Sequence, residues 1–315
     1  MTQVITKAQR QPLLDVNHLS LPRVGFDRLV FSAPQWSDYA AGKLSSSDFK
    51  LPLHSHFRLH RDFGPGWDSG ERKGMYTRIA EFVPITEPSV SALQVRYKPR
   101  SAPVPAFLVA IRGTMLALLD VDFVEQVILK LSGCFGPMKV SEIEFTVDFP
   151  LELTTADQLH REFFAPRTRI DRHDGPGSWS WGSGKSGTRF RLYHKTEDGF
   201  EATRTECVLR RSALRRYRID SLRDVRTTNW SVLLPHLFRF VEFRPSSTRD
   251  ITGQQLFLRT VRTFGIKAAL QQTDDRRWSR NRLRASPIQL LLDDQVWAFE
   301  QQLLAGCVRV GARGD

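Results

Sequence analysis

The stretch "TRFRLYHKTEDGFEATRTECVLRR" (188–211) puts a tyrosine among basic residues on what alternates like a strand. Phe190 and Leu192 point one way, while Arg189, Arg191, Tyr193 and Lys195 point the other. Asp198-Gly199 signals a tight turn, and "ATRTECVLRR" reads as the returning strand. A two-residue turn sets Tyr193 opposite Arg204 and Arg191 opposite Glu206. A phenol is a poor nucleophile at neutral pH. Guanidinium groups such as Arg191 and Arg204 favour its phenolate and steady charge on an attacked phosphate. The same spacing is also satisfied by a Tyr193 that only packs, with Glu206 paired to Arg191 on a solvated hairpin.

A second acidic strand precedes it. "SEIEFTVDFP" alternates strictly: Glu142, Glu144, Thr146 and Asp148 share one face, and Ile143, Phe145, Val147 and Phe149 the other. With the apolar face on a core, the carboxylates line the opposite, wetter face. Two or three such carboxylates suit Mg²⁺ or Mn²⁺, which polarises a phosphoryl oxygen. "WGSGKSG" imitates the end of a phosphate-binding loop, but the required first glycine is Trp179, and a strand pattern follows where a helix must open. Trp179 and Trp181 offer rings to unpaired bases or to packing. Lys185, Arg189 and the run "VLRRSALRRYR", with Arg210, Arg211, Arg215 and Arg216, are candidates for DNA phosphates. Tyr217 in that run is a second candidate nucleophile without accompanying carboxylates. His54 and His56, two apart, would share a strand face, yet Ser55 between them breaks the hydrophobic spacing of a metal motif.

The elements that must position these groups suggest an α+β fold, a largely antiparallel sheet with flanking helices plus a helical C-terminal region. "VGFDRLVFSAP", "MYTRIAEFVPI", "ALQVRYKP" and "AFLVAIRG" read as strands, and 35–74 as loop-rich. "DVDFVEQVILKLSGCFG" and "TTADQLHREFF" have helical spacing, as do two segments between 251 and 306. The expected division is a flexible arm at 1–20, a catalytic region at 21–245 and a helical, DNA-binding region at 246–315.

Composition narrows the partner. The chain has 315 residues, 41% of them hydrophobic, and a net charge of +12, with Arg well ahead of Lys. Arg is the better planar fork for phosphate, so a polyanion is expected. Three scattered cysteines build neither a disulfide framework nor a zinc site, and the N-terminus lacks a signal-peptide core. Those features imply a cytoplasmic protein with no membrane partner.

The ordered set "EIEFTVD", "WGSGKSG", "RLYHK" and "RTECVLR" resembles the initiator proteins of rolling-circle replication. The similarity is to the staphylococcal-type plasmid initiators and related filamentous-phage replication proteins, over about residues 140 to 215. It implies Tyr193 as nucleophile, Arg191, Arg204 and Lys195 around it, and Glu144, Asp148 and Glu206 on the metal. The implied reaction nicks origin DNA, single-stranded or in an extruded hairpin, links Tyr193 to the 5′ end and frees a 3′-hydroxyl. A host helicase and a DNA polymerase are then expected partners, and a homodimer is compatible. Three departures stand out: His194 replaces a usual Asp, Glu142 a usual Arg, and Thr205 a usual Phe. The competing reading from the residues is a sequence-specific DNA-binding regulator without catalysis, which has no use for carboxylates gathered beside phosphates. A tyrosine recombinase fits poorly, since no tyrosine lies beyond Tyr217.

Overall fold

A computed structural model describes residues 23–64, 75–86, 93–112, 121–150, 170–175, 177–182, 186–197 and 200–238, with isolated positions at 156, 256 and 260. The 1–20 arm and nearly all of 246–315 lie outside the described residues, as do Lys185 and most of "TTADQLHREFF".

Among the described residues, ten strands form one sheet in which every pairing is antiparallel, in the order β2-β3-β4-β5-β1-β6-β10-β9-β8-β7. Their ranges are β1 Arg23–Ser32, β2 Phe57–Phe63, β3 Tyr76–Pro84, β4 Leu93–Pro99, β5 Phe107–Arg112, β6 Lys139–Pro150, β7 Ile170–Gly175, β8 Ser178–Trp181, β9 Thr188–Glu197 and β10 Phe200–Arg210. The first strand is inserted between β5 and β6; on one side β5 to β2 are sequential neighbours, and on the other β6 pairs with β10, from which β9, β8 and β7 follow in reverse sequence order.

The sheet is apolar on one face. Leu29 and Phe31 of β1, Ile143, Phe145 and Val147 of β6, Leu209 of β10 and Leu192 of β9 are all buried there. Helices α1 (Asp38–Lys43), α2 (Ser46–Leu53), α3 (Val121–Phe135), α4 (Arg211–Arg216), α5 (Leu222–Thr227) and α6 (Trp230–Leu237) contribute to the same core. The ring of Trp230 of α6 lies 4.9 Å from Phe145 and tilted against it, and Phe49 of α2 lies 5.0 Å from Phe107. Burying aromatic pairs of this size dominates core energetics. Helix α3 stops where Gly136 takes φ +90°, a conformation that suits glycine. The described architecture is thus α+β with a large antiparallel sheet. Among the described residues no helix is long and apolar enough to cross a membrane.

The stretch expected as loop holds α1, α2 and the edge strand β2 instead. Helix α2 is short and contains Pro52, which masks its periodicity, but its start is well capped: the Ser45 N–H donates to Asp48 Oδ2 at 2.7 Å. Strand β2 buries Phe57 and exposes Arg58, His60 and Arg61. Charges on an edge strand discourage pairing with another chain.

Candidate active site

The opposite, polar face of the sheet carries the site at its centre, on the adjacent strands β1, β6, β10 and β9. The expected hairpin register is the one observed: Tyr193 faces Arg204 and Arg191 faces Glu206, and Glu197 pairs with Phe200 across Asp198-Gly199. On the other side of β10, Arg204 faces Asp148 and Val208 faces Glu144. Strand alternation therefore gathers Tyr193, Arg191, Arg204, Glu206, Glu144 and Asp148 on one face.

The Tyr193 hydroxyl donates to Glu206 Oε1 at 2.5 Å. Burial pushes the Tyr193 phenol above its ordinary value, and the hydrogen bond to Glu206 and the charge of that carboxylate push it further. The phenol is therefore protonated at neutral pH, with a proton acceptor already in contact. Arg191 Nη1 lies 3.7 Å from the second oxygen of Glu206. That oxygen, Oε2, is buried and accepts no hydrogen bond.

Arg204 is held on a carboxylate fork: Nε and Nη2 donate to Asp148 Oδ1 and Oδ2, each at 2.6 Å. Its Nη1 also lies 3.5 Å from Asp27 Oδ1. Burial alone would lower the Arg204 pKa, but the hydrogen bond and charge of Asp148 outweigh it and hold the guanidinium cationic. Such bidentate pairs fix orientation as well as charge.

The acidic strand is less wet than expected. Glu144 is only 6% exposed, with Arg28 of the neighbouring strand paired to it. Burial raises its pKa to about 7; Arg28 opposes the shift, and Glu206, Asp27 and Glu142 add to it. Arg28 Nη2 reaches Glu144 Oε2 at 3.1 Å and Glu142 Oε1 at 2.5 Å, and Arg210 Nε lies 3.5 Å from Glu142 Oε2. Glu142, found where the resembled family has Arg, thus sits between two arginines.

One oxygen each of Asp27, Glu144 and Glu206 lies within 4.8 Å of the others. An all-oxygen donor set with one orphaned buried oxygen fits a hard divalent cation such as Mg²⁺ or Mn²⁺. Asp148, expected among the metal ligands, is instead occupied by Arg204. Sequence reading missed both Asp27 and Arg28. They sit at a β-bulge: Phe26 pairs with Phe145 and Arg28 with Glu144, leaving Asp27 as the extra residue. The signal was present as a break in parity, since Phe26 and Leu29 are three apart yet both pack toward the core.

Other expectations fare differently. Trp179 and Trp181 are buried in the core at 8% and 3% exposure, opposite Leu192 and Phe190, and present no face to a base. Tyr217, the alternative nucleophile, packs against the core. His54 ends α2, its Nδ1 bonded to Leu51 O at 2.5 Å, so His54 and His56 flank a turn rather than share a strand face. His194 is exposed and, by alternation, on the side away from Tyr193. Lys195 and Arg189 are half-buried on the Tyr193 side; Arg211 is half-buried at the start of α4, with Arg215 and Arg216 exposed along it. The phosphate-loop imitation is followed by β9, as the alternation indicated.

No protein-family description and no curated protein matches this chain. Among solved structures, it is similar to a rolling circle replication initiator protein from Geobacillus stearothermophilus. Identity is 13% and the TM-score 0.39, over 76% of this chain and 97% of that one.

Proposed function

We propose that this chain is a rolling-circle replication initiator that nicks and rejoins origin DNA through Tyr193. The observation that carries the reading is the Tyr193 hydroxyl donating at 2.5 Å to a buried Glu206, beside Arg204, Arg191 and clustered carboxylates. In the nicking step Tyr193 Oη attacks a DNA phosphorus, and its proton passes to Glu206 Oε1. The bond from phosphorus to the 3′-oxygen breaks, and that oxygen takes up one proton from solvent to become a 3′-hydroxyl, matching the one proton given up by Tyr193 to Glu206. The 5′-phosphate remains on Tyr193. The phosphodiester energy is conserved in that bond, so the reverse attack rejoins the strand without a nucleotide cofactor.

Arg204, oriented by Asp148, and Arg191 face the charge that builds on the equatorial phosphoryl oxygens. Glu144 and Glu206 would hold a Mg²⁺ or Mn²⁺ ion, which supplies Lewis acidity to a phosphoryl oxygen when bound. Arg189, Lys195 and the exposed Arg215 and Arg216 offer phosphate contacts at the rim. The freed 3′-hydroxyl is a primer for a host polymerase, with a helicase to open the duplex ahead. A regulator that only binds DNA is disfavoured by the same geometry: carboxylates clustered within 4.8 Å would repel the phosphates it must hold.

The test is covalent capture. Labelled single-stranded DNA from the cognate origin is incubated with Mn²⁺ or Mg²⁺ and either wild type or Tyr193→Phe, then run on a denaturing gel. A DNA adduct that the phenylalanine variant loses supports the reading. An adduct that persists in the variant removes Tyr193 as nucleophile, and tight duplex binding without any adduct favours the regulator.

A further inference from the structure

We propose that Asp27, from the β1 bulge, completes a divalent-cation site with Glu144 and Glu206, and that Asp148 is a positioning residue for Arg204 rather than a ligand. The inference deepens the nicking reading and rests on it for the role of Arg204.

Three observations separate the two aspartates. Both oxygens of Asp148 are taken by Arg204 at 2.6 Å, and freeing either would strand a buried guanidinium. Asp27 touches Arg204 only once, at 3.5 Å, and its side chain is half exposed, so its carboxylate turns toward a cation at little cost. Its oxygen already lies within 4.8 Å of those of Glu144 and Glu206, and no Asp148 oxygen belongs to that cluster.

The cluster also contains an unsatisfied ligand atom. Glu206 is 95% buried by its 5% exposure, its Oε1 accepts from Tyr193, and its Oε2 accepts from nothing. The Arg191 guanidinium, at 3.7 Å, is beyond hydrogen-bond reach. A buried carboxylate oxygen without a donor is costly unless a cation satisfies it. The bulge explains why the third carboxylate comes from β1: an uninterrupted strand would place Asp27 and Arg28 on opposite faces, whereas here Arg28 reaches Glu144 and Asp27 reaches Arg204 on the same face.

The experiment is a Mn²⁺ titration of the full chain without DNA, read by loss of the free-ion electron paramagnetic resonance signal. The expected result is that Asp27→Asn weakens Mn²⁺ binding by roughly tenfold or more, as loss of a charged ligand does. Tyr193→Phe and Asp148→Asn should bind as wild type does, while Asp148→Asn slows adduct formation and Asp148→Glu recovers part of that rate. If Asp148→Asn does not fold, the Asp148→Glu variant carries the comparison alone, with Mn²⁺ affinity kept. Wild type that binds no Mn²⁺, or an Asp27→Asn protein that binds it normally, overturns the proposal. Normal Mn²⁺ results with no Tyr193 adduct leave this ligand set standing and sink the nicking reading instead.

Discussion

Glu144 should make the metal-free protein less stable as the pH rises, and Glu144→Gln should remove that dependence. Its folded-state pKa is raised from 4.5 to about 7, chiefly by burial. A raised carboxylate pKa means the folded state binds the proton more tightly than the unfolded chain. The associated stability is therefore full below about pH 4.5, is lost between 4.5 and 7, and stays lost above. At 1.36 kcal/mol per unit the whole loss is about 3 kcal/mol, most of it between pH 5 and pH 8. Glutamine keeps the shape without the charge. Wild type and Glu144→Gln should therefore be of similar stability at pH 5, and the variant should lead by 2 to 3 kcal/mol (roughly) at pH 8 in EDTA. Urea denaturation followed by tryptophan fluorescence reads this as a midpoint difference of roughly 1 M. Titrating groups remote from Glu144 cancel in the comparison, while its neighbours Glu206, Asp27 and Glu142 lose the repulsion of its charge in the variant. Mn²⁺ at pH 8 should stabilise wild type and not the variant, because the ion binds the folded state. A stability difference that does not change with pH would show that Glu144 is not a buried charge under strain.

Arg204→Ala leaves the largely buried Asp148 without its fork and should cost about 3–5 kcal/mol in urea unfolding, far more than a surface arginine. Gly187→Ala should be destabilised by about 1–3 kcal/mol, since a Cβ there would lie 2.4 Å from Ser212 Oγ and 3.0 Å from Ala213 N at the start of α4. Gly133→Ala, in α3 with nothing within 4 Å of the new methyl, should instead gain roughly 0.5–1 kcal/mol by thermal or chemical unfolding. Trp181→Ala, at a core position, should unfold at markedly lower urea, by about 3–5 kcal/mol, and a stable variant with weakened DNA binding would restore the base-stacking role.

The hairpin was legible because each of its signals is local. Asp-Gly in the sequence signals a turn, alternation fixes the faces, and together they predict the observed pairing of Tyr193 with Arg204. Strict alternation likewise assigned the faces of β6. What alternation hides is a bulge, and so Asp27 and Arg28 escaped notice although Phe26 and Leu29 violate the period of two. Asp148 reads as a ligand from its position on the acidic face; only the tertiary pairing of β6 with β10 shows that Arg204 claims it. The tryptophans of "WSW" were ambiguous for a similar reason. Their burial depends on β8 pairing with β9, which brings Trp179 to Leu192 and Trp181 to Phe190. Helices α1 and α2 are too short to show a period, and a proline inside α2 hides it further.

The placement of β1 has a consequence for the chain during its synthesis. Arg28 of β1 pairs with Arg112 of β5 and Glu144 of β6, both made much later in the chain, and the site also needs Glu206 on β10. At ribosomal rates of roughly 5–20 residues per second, Asp27 and Arg28 wait roughly ten to forty seconds for the strands that complete the constellation. A nascent chain that has not yet reached β10 therefore lacks Glu206 and Arg204, and its early strands carry Asp27, Arg28 and Glu144 without the partners that gather them on one face.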